Sequence, residues 1–83
     1  MRTLSSQLKP NQSLDCTGLY CPEPVFRTRI ELDKMNAGEI LEVTADDPAA
    51  EEDIKRLVKN LGDEVLNASK EGDVLRILIR KVK

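Results

Sequence analysis

Two cysteines and no histidine stand among the 83 residues, so covalent chemistry by a nucleophilic sulfur narrows to Cys16 and Cys21. Cys21 heads the run Cys21-Pro22-Glu23-Pro24, which follows Asp15-Cys16-Thr17-Gly18-Leu19-Tyr20. A thiol reacts as its thiolate, and an ordinary cysteine with pKa ~8.5 is only a few per cent ionised at neutral pH. Without histidine, no Cys-His dyad, Ser-His-Asp triad or His-liganded metal site can be built. A helix N-terminus is an alternative source of positive field, through its unpaired N–H groups and its dipole.

Proline is favoured at the first helical position, where its missing N–H costs nothing. The spacing therefore predicts Cys21 as N-cap, Pro22 as the first helical residue and Pro24 within the first turn. The Glu23 N–H is then the donor expected to meet the sulfur. A fall of about one to two pKa units would follow, and the same field would favour a persulfide anion. Two prolines would also present the sulfur without a long flexible loop. The Glu23 carboxylate would oppose this effect if it faced the thiol. Against a reactive Cys21 stands the common use of cysteine as a small buried hydrophobe, and the two readings remain open on these grounds alone. Cys16, in an expected strand before the turn, reads as structural, with a secondary thiol role as its alternative. The C-x4-C spacing is not a C-x-x-C redox pair, and two cysteines cannot complete a four-ligand zinc site. No metal or cofactor is expected.

The elements that must hold this cysteine follow from periodicity. Residues 1–12 are polar, with two leucines, and read as a flexible N-terminal arm; residues 13–83 form one domain. Ser13–Cys16 reads as a short strand ended by Thr17-Gly18. A helix is expected from Pro22 to Met35, with Val25, Phe26, Ile30, Leu32 and Met35 as its apolar face. Residues 39–45 alternate as a strand with Leu41, Val43 and Ala45 on one side. Asp47-Pro48 opens a second helix carrying Ala50, Ile54, Leu57, Val58 and Leu61 at helical spacing, and Gly62 stops it. Strands at 64–69 and 74–82 join through Lys70–Asp73 as a hairpin. The order βαβαββ implies an α/β (α+β) two-layer sandwich. Both helices then cover one face of a four-stranded mixed sheet, because each strand alternates and buries one side. Glu42, Thr44, Arg76 and Arg80 belong to the other face.

Composition excludes several classes of function. Thirteen basic and fifteen acidic residues nearly balance, and Tyr20 and Phe26 are the only aromatics, whereas nucleic-acid modules usually carry a basic excess and stacking rings. Direct nucleic-acid contact is not expected. No apolar run reaches signal-peptide or membrane-span length, so no membrane association is expected and the cytoplasm is the expected location.

The segment "LDCTGLYCPEPV", then a helix, Gly38-Glu39, a strand and "ADDPAAEEDI", resembles the TusA/SirA/YedF family of small sulfur carriers. The likeness runs from about Leu14 to the C-terminus. It rests on Cys21-Pro22-Glu23-Pro24, on Asp15 and Gly18 before it, and on Asp46-Asp47-Pro48. The resemblance implies that Cys21 accepts persulfide sulfur from a cysteine desulfurase or another sulfurtransferase donor and passes it to an acceptor protein. Relays of that kind serve tRNA 2-thiolation, molybdenum-cofactor maturation or sulfur oxidation. It implies a carrier with sulfurtransferase-like chemistry rather than a stand-alone enzyme. Asp63 follows Gly62 where a Gly-His pair is common in the family, and no aromatic precedes it in that helix; these departures bear on which partner is used. Two other readings are a non-catalytic interaction or regulatory module using the solvent face of the sheet, and a thiol–disulfide switch between Cys16 and Cys21.

Overall fold

The computed structural model describes residues 9–82. The strands are β1 (Gln12–Cys16), β2 (Ile40–Ala45), β3 (Glu64–Glu71) and β4 (Val74–Arg80), and the helices α1 (Glu23–Asp33) and α2 (Ala50–Leu61). They form one four-stranded sheet in the order β1-β2-β4-β3. β1 runs parallel to β2, with Asp15 opposite Thr44 and Cys16 opposite Ala45, while β4 is antiparallel to both of its neighbours. Parallel neighbours need a crossover, and α1 supplies it. The β3–β4 turn is tighter than expected, because Lys70 and Glu71 pair with Leu75 and Val74. Pairing also begins earlier than Ser13: the Asn11 N–H donates to the Ile40 carbonyl at 2.8 Å and the Asn11 side-chain oxygen accepts the Ile40 N–H at 2.7 Å. Residues 1–8 of the expected arm lie outside the described residues.

Strict alternation in β2 and β4 sends Leu41, Val43, Ala45, Leu75, Ile77 and Ile79 to one side. There they join Leu32 of α1, Met35 just past its end, and Ile54 and Val58 of α2 in a single core. Both helices therefore cover the same face, as the pattern requires. On the opposite face Arg76 pairs with Glu42 at 3.1 Å and Arg80 with Glu64 at 2.7 Å. Exposed pairs of this kind contribute little, about 0–1 kcal/mol each. Leu78, the apparent break in the pattern of β4, sits on that outer face between Glu42 and Asn67.

The buried side of α1 is not the one expected. The helix ends at Asp33, short of the expected Met35; Leu32 and the following Met35 are buried, but Phe26 and Ile30 point outward, 56% and 55% exposed. Pro24 and Thr28 occupy the core face instead, each one helical turn apart in line with Leu32. Thr28 is admitted because its hydroxyl donates to the Pro24 carbonyl at 2.7 Å, so no polar atom is stranded. α2 matches its pattern. Gly62 closes it at φ +82°, with its N–H on the Lys59 carbonyl and the Asp63 N–H on the Val58 carbonyl.

Ile54 has no exposed surface, so Ile54→Ala is expected to cost about 2–4 kcal/mol. Phe26→Ser should stay within about 0.5 kcal/mol of the parent. Urea unfolding of both variants checks the contrast; equal losses would return Phe26 to the core.

Candidate functional site

Because β1 and β2 are parallel and in register, the loops that leave their C-terminal ends lie side by side. The first, residues 17–22, carries Cys21; the second, residues 46–49, carries Asp46-Asp47-Pro48. Asp15 shapes the first loop. Its Oδ1 accepts the Thr17 hydroxyl at 2.6 Å, the Thr17 N–H at 3.0 Å and the Thr44 hydroxyl at 3.2 Å. Gly18 then turns the chain at φ +82°. A Cβ there would meet nothing within 4 Å, so the left-handed backbone, not crowding, calls for glycine.

The second loop grips the first. Asp46 Oδ1 accepts the Gly18 N–H at 2.9 Å, and Asp47 Oδ2 accepts the Cys21 N–H at 2.7 Å. Asp47 also serves its own helix: its Oδ1 takes the Ala49 N–H at 3.1 Å and its carbonyl takes the Ala50 N–H at 3.0 Å. The cap-and-proline pattern discloses only this last duty. The grip on the cysteine loop joins residues 26 and 28 positions apart, which no local pattern can announce.

Cys21 is exposed and Cys16 is fully buried, and neither forms a disulfide. Burial pushes the Cys16 thiol up. The expectation for Cys21 is corrected at two points. α1 starts at Glu23 with Pro22 as its N-cap, after a cis Cys21–Pro22 peptide, so Cys21 lies one residue outside the cap. The Glu23 N–H, the expected partner of the sulfur, donates instead to the Tyr20 carbonyl at 2.8 Å. The Cys21 thiol is raised, not lowered. Partial desolvation comes first among the causes, then its hydrogen bond to Asp53, then the charges of Asp53 and Asp47. The Cys21 Sγ stands 3.6 Å from Asp53 Oδ2. Glu23 is not the opposing carboxylate: it pairs with Arg27 at 3.3 Å, beside Leu14 and Phe26.

Pro24 is buried and anchors the first turn of α1, while Pro22, with Val25, Leu57, Asp53 and Arg56, lines an open groove of about 310 Å³ that has Cys21 on its wall. Of the residues marked from sequence, Asp15, Gly18, Cys21, Pro22 and Pro24 thus belong to one loop-and-helix unit. Asp46 and Asp47 complete it, together with Asp53, which no local spacing marks. Among the described residues no group of three or more potential ligands could hold a metal ion.

The family model described as Sulfurtransferase TusA matches residues 12–81. The chain belongs to the TusA family. Among TusA relatives, a candidate sulfur carrier protein of Archaeoglobus fulgidus is 53% identical over 73 residues, covering 87% of this chain and 95% of that one. The sulfur carrier protein TusA of Allochromatium vinosum is 37% identical, covering 86% and 93%. The crystal structure of a SirA-like protein from Desulfitobacterium hafniense superposes with a TM-score of 0.77 over 87% of this chain and 99% of that one, at 22% identity. This likeness shows the shared fold.

Hydrogen bonds from Thr17, side chain first and backbone second, hold the Asp15 carboxyl below its ordinary value of 3.8. A depressed folded value means that the stabilisation is complete above the unfolded pKa and is lost as the pH falls through the folded one. Asp15→Ala should therefore unfold at lower urea than the parent at pH 7, with the gap closing as the pH drops below 3.8. A gap independent of pH would mean that the carboxylate charge is not what holds the turn.

Proposed function

We propose that Cys21 carries sulfane sulfur as a persulfide, taking it from a protein donor and delivering it to a protein acceptor. One observation carries the reading. Of the two thiols, only Cys21 is open to solvent, on a loop whose backbone is fixed by carboxylates of a second loop. Family membership and the apolar-walled groove beside the sulfur support it further.

Loading is an exchange of one bond for another. The Cys21 sulfur attacks the terminal sulfur of the donor's persulfide, a new Sγ–S bond forms and the donor's S–S bond breaks. The donor's inner sulfur leaves as thiolate and takes up the proton given up by Cys21. No oxidant is consumed. The carried sulfur then lies about 2 Å beyond Sγ, farther out from the loop that holds the cysteine. Delivery repeats the exchange with the acceptor's thiol or other nucleophile.

The donor is a cysteine desulfurase or another sulfurtransferase, and the acceptor a protein of a tRNA 2-thiolation, molybdenum-cofactor or sulfur-oxidation relay. Any RNA is reached through a partner, in keeping with a net charge of -2 and two aromatic residues. The cytoplasm, where thiols stay reduced, suits this chemistry. No described helix is long and apolar enough to cross a membrane. Pro22 and Pro24 hold the approach to the sulfur, Asp15 and Gly18 shape the loop, and Glu23 faces away.

Incubation with a desulfurase and cysteine should add one sulfur, about 32 Da, that a reductant removes. Cys21→Ser should gain nothing, whereas Cys16→Ala should load like the parent. An adduct that persists in Cys21→Ser would overturn the assignment.

A further inference from the structure

Resting on Cys21 as the sulfur-bearing residue, we propose that Asp53 is its positioning residue: it parks the free carrier's thiol against α2 and restrains its conversion to thiolate. The contact is direct, with Asp53 Oδ2 at 3.6 Å from Sγ. The S–H donor can make this hydrogen bond only while it keeps its proton; ionised, the sulfur would face a like charge at the same distance. Asp53 is suited to the task because its side chain is only 26% exposed, with the exposed Arg56 guanidinium 3.6 Å from its other oxygen. Its low exposure leaves its field on the sulfur less screened than at an open surface, and the guanidinium offsets only part of it.

The other charged groups around the sulfur do not reverse this. Asp47, from the β2–α2 loop, adds a second negative charge while bonding the Cys21 N–H. Glu23 of α1 is turned to Arg27. Among the described residues Arg56 is the one cation on the groove, 70% exposed and already paired with Asp53. A carrier that travels between partners gains from such restraint, since exposed thiolates are the thiols most readily oxidised or alkylated.

The test is the rate of Cys21 alkylation by iodoacetamide against pH, on the full chain without any sulfur donor. In the parent the inflection should lie above that of an ordinary thiol. Asp53→Asn keeps the shape and removes the charge. It should move the inflection down and speed alkylation at pH 7.5 by roughly three- to tenfold, leaving the high-pH plateau unchanged. An unmoved inflection would overturn the proposal. So would a rise in plateau and neutral rate together, because that reports a loosened loop. Should Asp53→Asn fail to fold, Arg56→Gln decides the matter. Loss of the guanidinium leaves Asp53 uncompensated, so the inflection should rise and the rate at pH 7.5 fall about twofold; no change or a fall in the inflection would overturn the idea. Because no sulfur transfer is measured, failure here leaves Cys21 loading intact, and failure of loading leaves this profile unaffected.

Discussion

The bond from the Cys21 N–H to the Asp47 carboxylate is the contact on which the site depends. At 2.7 Å it is short for an N–H donor, as expected when the acceptor carries a full charge. Asp46 repeats the arrangement on Gly18. Together they tie the cysteine loop to the second one at two points. Since Asp47 also receives the first N–H groups before α2, any shift of that helix is felt at the cysteine. Parallel pairing of β1 with β2 is what makes the arrangement possible, because only then do both loops leave the sheet at the same end.

The groups that fix the cysteine in place also oppose its ionisation. A helix N-terminus offers the equivalent of roughly half an elementary charge, and here its nearest expected N–H is occupied by the Tyr20 carbonyl. Asp53 brings a whole charge of the opposite effect to 3.6 Å. Partial desolvation raises the thiol first, and the Asp53 hydrogen bond and charge add to it; at comparable distance the formal charge outweighs the partial one. Position and reactivity are in conflict, and in the free carrier position wins. The outer sulfur of a persulfide would escape much of that conflict simply by standing farther away.

Much of this was legible from the sequence because it is local. Period-two alternation found the strands, and the run from Ala50 to Leu61 with Gly62 after it found α2. Cys16 could be assigned to the interior from its place in β1. The errors share a cause. On α1 a hydrophobicity count favoured Phe26 and Ile30, whereas the core took Pro24 and Thr28, which qualify through an internal hydrogen bond that hydrophobicity does not record. At the thiol, the local pattern predicts the helix start to within one residue. The decisive carboxylate, however, comes from a residue 32 positions away. Contacts that exist only after folding leave no spacing to read.

The pairing of Cys16 with Ala45 on an outermost strand has a consequence for how the chain verifies its own assembly. Side chains in a strand alternate, so a slip of β1 by one residue would turn the buried thiol to solvent and carry Gly18 out of reach of Asp46. Two sulfurs five residues apart would then both face solvent. The correct alignment hides one and displays the other, so a misthreaded molecule would betray itself by offering a reagent two cysteines instead of one.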